Sequence, residues 1–294
     1  MRPIADLSPD KCVAAAKPKA GCRRWRLVLI VGSMLLLGFA ARGGAQTADE
    51  RAAMEDENLE TDRDSFTPAT STVGRAYTVL ESSYSFIDNR IGPETHSFPE
   101  LLLRRGITDW FELRLGWNFE AGGSGSAVSG DEFGDDEFQA EKEGSALYGA
   151  KIQTSRQSGW TPESSTIVHA TTPTSGPAPA TTLVVGETFG WTFANGWKWN
   201  SAMRFAAASA DQDHFDQWAP STVIKIPVGE RWNFHTEYFG IVSSGKESNF
   251  SQQFISVGGH VLLTDNFELG LRIGFGLNEQ TPRFFDTFGI GWRF

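Results

Sequence analysis

Cysteine and long hydrophobic runs are almost missing from this chain. Its two cysteines, Cys12 and Cys22, both precede a short apolar stretch near the amino terminus. A lipoprotein needs its cysteine just after such a stretch, so lipid attachment is excluded, and no disulfide or cysteine metal site is expected. After residue 45, no apolar run reaches the ~20 residues that a membrane-spanning helix needs.

The amino terminus has the pattern of a secretory signal peptide. Three arginines precede an apolar run over 27–40, and small residues follow it. We predict cleavage after Ala45, with Ala41 as the alternative, so residues 1–45 form a signal peptide with a long n-region. The stretch before the arginines is either a real extension or the product of a misassigned start codon.

Basic residues are scarce once this segment is removed. The first 45 residues hold eight Lys and Arg but two Asp and Glu, which leaves 18 basic and 34 acidic residues and a net charge near −16. Nucleic-acid binding depends on neutralising phosphates with Lys and Arg. We therefore expect no nucleic-acid partner.

The chain is instead rich in short segments in which apolar and polar residues alternate. The clearest is 110–120, where aromatic and aliphatic residues occupy every second position. A β-strand has that period and an amphipathic helix does not. Including weaker patterns we predict twelve strands, over 75–87, 96–105, 110–120, 145–154, 164–172, 182–193, 197–205, 218–228, 232–242, 250–263, 267–277 and 284–294.

The last strand has one apolar face and ends in an aromatic residue. Phe288, Ile290, Trp292 and Phe294 share that face, and the tail resembles the assembly signal of outer-membrane β-barrels. Such a strand would be an exposed edge in a soluble protein but closes the sheet in a barrel. We expect an all-β, transmembrane antiparallel up-and-down barrel of about twelve strands over 74–294, with outer-membrane lipids and the barrel-assembly machinery as partners.

The joints between strands indicate the orientation. Tight turns alternate with longer joints, and lie at 106–109, 194–196, 229–231 and 264–266. Outer-membrane barrels have short periplasmic turns and longer outer loops, so both termini are expected in the periplasm. Four tryptophans that lie beside the short turns or the carboxy terminus should form an interfacial girdle: Trp110, Trp197, Trp232 and Trp292.

Three residues fit their strands poorly. Glu187 falls in register with apolar neighbours and would point at lipid, so we expect a bulge or a strand end there. Pro220 and Pro227 should lie near strand ends because proline cannot donate to a ladder.

Alternation also predicts which charged side chains face the lumen. They are Glu81, Glu100, Arg104, Glu112, Arg114, Glu120, Lys151, Lys198, Arg204, Lys225, Glu237, Glu268, Arg272 and Arg293. Several of the bases lie near the short turns, so a pore would be basic on its periplasmic side and negative at its mouth. Two interpretations stay open: these charges select solutes, or they pair across a narrow interior and make the barrel rigid.

Two acidic segments flank the first strands. Residues 46–73 are expected to be a disordered periplasmic lead, with a plug folded into the lumen as the alternative. The loop over 121–144 holds a dense group of carboxylates between 131 and 143. Their spacing is not that of an EF-hand, so we expect a solvated loop rather than a cation site, and neither a metal nor a cofactor.

A catalytic role has little support. A barrel lipid hydrolase needs a nucleophile and a base, and only His96, beside Ser97, and His260 are suggestive. Neither lies in a pattern resembling the His-x-Ser arrangement of barrel phospholipases. We expect no enzyme and name no catalytic residue.

Several segments resemble the transporter family named for the meta-pathway of phenol degradation. They are 61–67 (TDRDSFT), 96–109 (HSFPELLLRRGITD), 112–117 (ELRLGW), 262–269 (LLTDNFEL), 276–278 (GLN) and 289–294 (GIGWRF). The resemblance spans 61–294, although Asp64 stands where the family usually has proline. It implies an outer-membrane channel for small hydrophobic or aromatic organic solutes. The alternatives are a non-conducting barrel acting through its outer loops and, less favoured, a lipid hydrolase.

Overall fold

The computed structural model describes residues 59–123, 142–176, 180–210, 213–245 and 249–294. The expected signal peptide, the first part of the acidic lead and all but Glu143 of the carboxylates of the 131–143 loop lie outside these ranges. None of the described residues forms a helix long and apolar enough to cross a membrane.

Twelve strands make up the described fold. They are β1 (Thr78–Asp88), β2 (Thr95–Thr108), β3 (Phe111–Gly122), β4 (Lys142–Ser155), β5 (Glu163–Ser175), β6 (Thr182–Thr192), β7 (Lys198–Ala210), β8 (Asp213–Val228), β9 (Trp232–Ser244), β10 (Ser251–Thr264), β11 (Phe267–Gly276) and β12 (Phe284–Arg293). Each predicted strand is confirmed. The largest boundary error lies between β7 and β8, which each extend five residues further toward their shared loop.

The strands form one closed antiparallel barrel. Each strand pairs with its neighbours in the chain, and β1 pairs with β12 from Val79↔Arg293 to Asp88↔Phe284. The carboxy-terminal strand therefore has no free edge, as expected for a barrel that hides its backbone polar groups from lipid. We call the end of the barrel where β1 begins and β12 ends the terminal end, and the opposite end the loop end.

The outer face of the barrel is an apolar belt. Leu115 is 57% exposed and Val257 is 54% exposed, and large side chains alternate with buried ones along most strands. Water would penalise so much exposed apolar area, whereas lipid does not. The four tryptophans expected in the girdle, Trp110, Trp197, Trp232 and Trp292, are all exposed at the terminal end, as predicted.

Two of the poorly fitting residues are accommodated differently from the prediction. Glu187 lies in the middle of β6, and its pairing with β5 and β7 continues on both sides without a bulge. Pro220 lies within β8 rather than near its end; the ladder to β7 is continuous there, while the pairs with β9 lapse between Trp218 and Ser221. The proline, which lacks an N–H, is tolerated because the interruption is confined to one side.

The interior is filled by a segment that precedes β1. Residues 59–73, hereafter the plug segment, enter at the terminal end, reach their deepest point at Phe66 and return. Leu59 and Val73 pack together with Val79 of β1 at that end, and Phe66 is completely buried. The expectation of a disordered lead is therefore wrong for residues 59–73, because carboxylates that would be solvated outside find cations within the barrel.

Candidate functional site

The plug segment holds carboxylates at every second position. Glu60, Asp62 and Asp64 project from the plug backbone into the half of the lumen nearer the terminal end. Asp62 contacts three bases of the wall, with Lys151 Nζ 3.1 Å and Arg104 Nε 3.6 Å from its carboxylate and Arg114 closer still. One plug carboxylate thus neutralises bases from β2, β3 and β4.

The other two plug carboxylates bind the opposite wall. Asp64 Oδ2 lies 2.9 Å from Lys225 Nζ of β8 and 3.5 Å from the ring of His260 on β10. Glu60 lies 3.4 Å from Lys225 Nζ and 3.5 Å from Lys198 Nζ. The segment therefore bridges strands on both sides of the lumen.

These contacts keep the plug carboxylates ionised. Burial raises the pKa of Glu60, but Lys198 and Lys225 outweigh burial and bring it down to about 2. Burial likewise opposes ionisation of Asp62 and Asp64, yet Arg104 and Lys151 hold the pKa of Asp62, and Lys225 that of Asp64, well below the ordinary value. Protonating any of the three weakens the fit of the segment.

Carboxylates of the wall accept hydrogen bonds from the backbone N–H groups of the plug segment. Glu81 Oε2 accepts the N–H groups of Asp62 and Arg63 at 2.9 and 3.0 Å, and Glu112 accepts that of Val73 at 2.7 Å. Hydrogen bonds to charged acceptors are the strong ones, and here they satisfy amides that have no strand partner.

The tip of the plug segment is clamped. Glu237 of β9 accepts the N–H groups of Phe66 and Thr67 at 3.0 and 2.6 Å, and the Thr67 hydroxyl at 2.7 Å. Arg204 of β7 donates to the Phe66 carbonyl at 2.9 Å and places its guanidinium 4.0 Å from the Phe66 ring centre. Both faces of the turn are thus held by wall residues.

Above the tip lies an aromatic layer. Phe66 stacks on Phe239 at 4.1 Å between ring centres, Phe239 stacks on Phe254 at 4.6 Å, and Phe285 meets Phe254 edge to face at 5.9 Å. Aliphatic side chains from β1, β6, β7, β8 and β9 complete this cluster. The layer separates two halves of the lumen with different chemistry.

Besides the half-buried Glu120 and Glu143, the half nearer the loop end is lined by uncharged polar side chains. Those buried among the described residues are Asn89, Thr95, Ser97, Asn118, Ser145, Thr171, Thr182, Gln217, Ser243, Gln252 and Thr281. The half nearer the terminal end holds the buried acids and bases instead. A molecule entering from the loop end would therefore meet hydroxyl and amide groups with two carboxylates, then aromatic rings, and only then paired acids and bases.

A gap remains beside the plug segment. It runs along β10, β11 and β12, where Gly259, Gly270 and Gly289 bring no side chain, and the plug contributes Thr61, Arg63 and Asp64 to its lining. A side chain at Gly270 or Gly289 would meet other atoms only beyond 3.4 Å, so the wall is open there. The gap has a volume of about 20 Å³, which is room for a water molecule.

The comparisons with known proteins agree with this architecture. The family described as "Putative MetA-pathway of phenol degradation" matches residues 61–294. The chain belongs to this family. The match begins within the plug segment and ends at the last residue, so it covers both the plug and the whole barrel, and the resemblance that the sequence motifs indicated is confirmed.

A solved outer-membrane channel shares the fold. An outer-membrane channel from Pseudomonas putida F1 is 11% identical, with 81% of this chain and 100% of that chain covered and a TM-score of 0.58. The translocator domain of the autotransporter NalP from Neisseria meningitidis is 9% identical, with 75% and 89% covered and a TM-score of 0.48. Among curated proteins, no sequence matches this chain. The closed barrel, its apolar belt and this fold together are those of an outer-membrane protein.

The fourteen charged residues predicted for the lumen of this family member fall into two groups. Eleven are buried inside the barrel, whereas Glu120, Lys198 and Arg293 are half-buried. Glu120 stands apart near the loop end, and Arg293 binds the turn before β11 through Asn266 at 2.8 Å. The part of these fourteen residues in transport stays a prediction. The assembly role of Phe288, Ile290, Trp292 and Phe294, which all point outward, stays a prediction as well.

Pairing among the charges of the wall, one of the two interpretations left open, accounts for only part of the ion pairs inside the barrel. Within the terminal half the wall supplies seven bases and five carboxylates, and the plug segment adds three carboxylates and Arg63. The basic wall was predicted, but its counter-ions were missed. The sequence places acids at three alternate positions, Glu60, Asp62 and Asp64, but this spacing does not indicate that the middle acid meets one wall and the outer two meet the opposite wall.

The aromatic layer was missed as well. Continuing the alternation from Glu237 by two residues puts Phe239 on the lumen face, and the same step from Ser256 reaches Phe254. The prediction for the lumen named charged residues only, so it did not include these rings.

The two histidines considered for catalysis lie in different environments. His96 faces outward, where its Nδ1 lies 2.8 Å from the Tyr84 hydroxyl, and His260 is buried against Asp64 and Glu268. Across the described ranges no three His, Cys, Asp or Glu side chains are arranged to hold a metal ion.

Proposed function

We propose that this protein is an outer-membrane channel for small organic solutes of hydrophobic or aromatic character, and that the plug segment holds it closed. The observation that carries the proposal is the half of the lumen lined mainly by hydroxyl and amide groups, which ends on a floor of four phenylalanines. Aromatic rings bind other rings and apolar groups, and the hydroxyl and amide groups above them suit the polar substituents of such solutes.

The short turns at the terminal end support placing that end in the periplasm. In this orientation solutes enter from outside through the half nearer the loop end and reach the plug last. The family description and the channel from Pseudomonas putida support the proposal.

Passage requires the plug segment to shift. Ion pairs with the wall and the packing of Phe66, Leu59 and Val73 hold it firmly, so opening requires its charged contacts to be replaced by water as the lumen hydrates. The gap along Gly270 and Gly289 is where solute would pass once the segment moves away from β10–β12.

The test is flux into liposomes that contain the purified protein. An aromatic solute that crosses bare lipid slowly, such as a hydroxylated benzoate, is compared with a sugar of similar size. We expect the aromatic solute to enter faster, and both fluxes to rise several-fold in a variant that lacks residues 59–73. A folded barrel without the plug segment that passes neither solute would contradict the proposal.

A non-conducting barrel is the second candidate, favoured by the completeness of the plug's contacts. It predicts that removal of the plug segment changes stability alone and leaves flux at the level of empty liposomes.

A further inference from the structure

Glu187 presents a carboxyl group to the lipid in the middle of the apolar belt. It is the sixth of the eleven residues of β6, and its neighbours on the same face are Val185 and Phe189. A charged group at this depth is costly, and ionisable residues within membranes are usually functional.

No opposite charge lies near it. The outward faces of the adjoining strands present Thr166 and Val168 on β5 and Ser201 and Met203 on β7. The titratable side chains of the packed strands point elsewhere: Lys151, His169, Lys198 and Arg204 face the lumen, Glu163 accepts from Gln153, and Arg156 lies in the turn after β4. Within the described ranges, Glu187 is held by hydroxyl groups alone.

Those hydroxyl groups form a chain to the rim. Thr166 donates to one carboxyl oxygen of Glu187, and Thr154 Oγ1 lies 3.2 Å from the other. Thr154 then contacts Ser164 at 2.6 Å, Ser164 contacts Ser155 at 2.7 Å, and Ser155 donates to the Pro162 carbonyl at 2.8 Å. The chain ends at the exposed turn between β4 and β5.

The number of protons along this chain determines which group donates in each of its hydrogen bonds. Four contacts join Glu187 to the Pro162 carbonyl, and the three hydroxyl groups between them carry three protons. Because a carbonyl only accepts, Ser155 must donate to Pro162, Ser164 to Ser155 and Thr154 to Ser164. The fourth proton can come only from the carboxyl group.

We propose that Glu187 is a neutral carboxylic acid on the lipid-facing wall, and that the Thr154, Ser164 and Ser155 hydroxyls exchange its proton with water at the rim. In this state Glu187 donates to Thr154 and accepts from Thr166, so all four contacts are hydrogen bonds and no charge faces lipid.

Loss of the proton reverses the chain. The carboxyl proton moves to Thr154, each hydroxyl passes its own proton one place toward the rim, and Ser155 releases one to water. The proton that each hydroxyl has received points toward Glu187, so the carboxylate now accepts from both threonines, while the Pro162 carbonyl loses its donor. One proton leaves, one charge appears in the belt, and the hydrogen bonds between the hydroxyl groups remain with their direction reversed.

The experiment is infrared spectroscopy of the purified barrel in lipid as a function of pH. We expect a protonated-carboxyl band at neutral pH that Glu187→Gln removes, and that disappears in the wild type only at alkaline pH. Glutamine reproduces the neutral acid, since its amide group donates to Thr154 and its oxygen accepts from Thr166. Glu187→Gln should therefore fold normally.

Two matched variants test the chain itself. Ser155→Ala removes the need for the fourth proton, so the pH at which the band disappears should fall by roughly one unit, the contribution of one hydrogen bond. Thr166→Val removes a donor to the carboxylate and should raise that pH. The proposal is overturned by identical neutral-pH spectra of wild type and Glu187→Gln, or by a Ser155→Ala variant that titrates like the wild type.

Discussion

Both halves of the lumen are filled with polar side chains, but the kind of side chain differs between them. The terminal half uses acids and bases that satisfy one another through the plug segment, and the loop half uses hydroxyl and amide groups that need no counter-ion. A neutral hydrogen bond can be lost at a cost of ~1 kcal/mol, whereas a buried ion deprived of its partner costs several times that. The first half is therefore built to hold one state firmly, and the second to accept exchangeable contacts.

The sharpest way to break this contrast is Asp62→Ala. Arg104, Arg114 and Lys151 then share the remaining carboxylates, and the plug should lose about 3–5 kcal/mol of binding to the wall. We expect faster cleavage of residues 59–73 by added protease and higher liposome flux. The control is Asp88→Asn, which removes an exposed pair with Arg283. It should change the binding of the plug segment by no more than ~1 kcal/mol, so cleavage and flux should stay near the wild-type values.

Phe254→Ala addresses the boundary between the halves. Loss of a fully buried ring from the aromatic layer should lower the free energy of unfolding by about 3 kcal/mol, measured by urea titration of the barrel in lipid. The plug segment should keep its protease resistance, since its ionic contacts are untouched. Equal protease sensitivity in Phe254→Ala and Asp62→Ala would mean that the two halves are not separable.

Acid should loosen the plug segment in the terminal half. The pKa of Glu60 is about 2 in the folded protein, below its ordinary value near 4.5, so its stabilising contribution is complete above pH ~4.5 and is lost as the pH falls toward 2. The pKa values of Asp62 and Asp64 are also lowered, so they extend the loss of stability to more acidic pH. Protease sensitivity of the plug should rise over this interval, and Glu60→Gln should remove part of the dependence above pH 2.

The smallest effects come from a matched pair of serines. Ser97 donates to Asn118 in the loop half at 2.8 Å, and Ser83 donates to Glu100 in the terminal half. Ser97→Ala should cost ~1 kcal/mol of unfolding free energy, and Ser83→Ala about twice as much because its acceptor is charged. Equal costs in thermal or urea unfolding would show that charge does not distinguish the halves.

The strands were predictable because their signal is local. A period of two in 110–120 or 267–277 specifies both the strand and the face that meets lipid, and closure of β12 on β1 follows from an even number of antiparallel strands. Boundaries failed where the pattern was weak, as at the loop joining β7 and β8, whose small residues alternate little.

The plug segment could not be predicted in the same way. Its acidic residues favour solvent unless cations are held in place for them, and those cations lie far along the chain, at Lys151 and Lys225. The amides of Phe66 and Thr67 are bound by Glu237, about 170 residues away. No local pattern carries that information, since the alternation of Glu60, Asp62 and Asp64 does not indicate which wall each carboxylate meets.

The plug segment has a consequence for the order of assembly. Residues 59–73 precede every strand, yet they contact β1 through Glu81, β8 through Lys225 and β11 through Glu268. An unfilled wall would carry two more positive than negative charges in its terminal half. We therefore expect the segment to gather strands as they are inserted, so that barrel closure and the filling of its interior are one cooperative event.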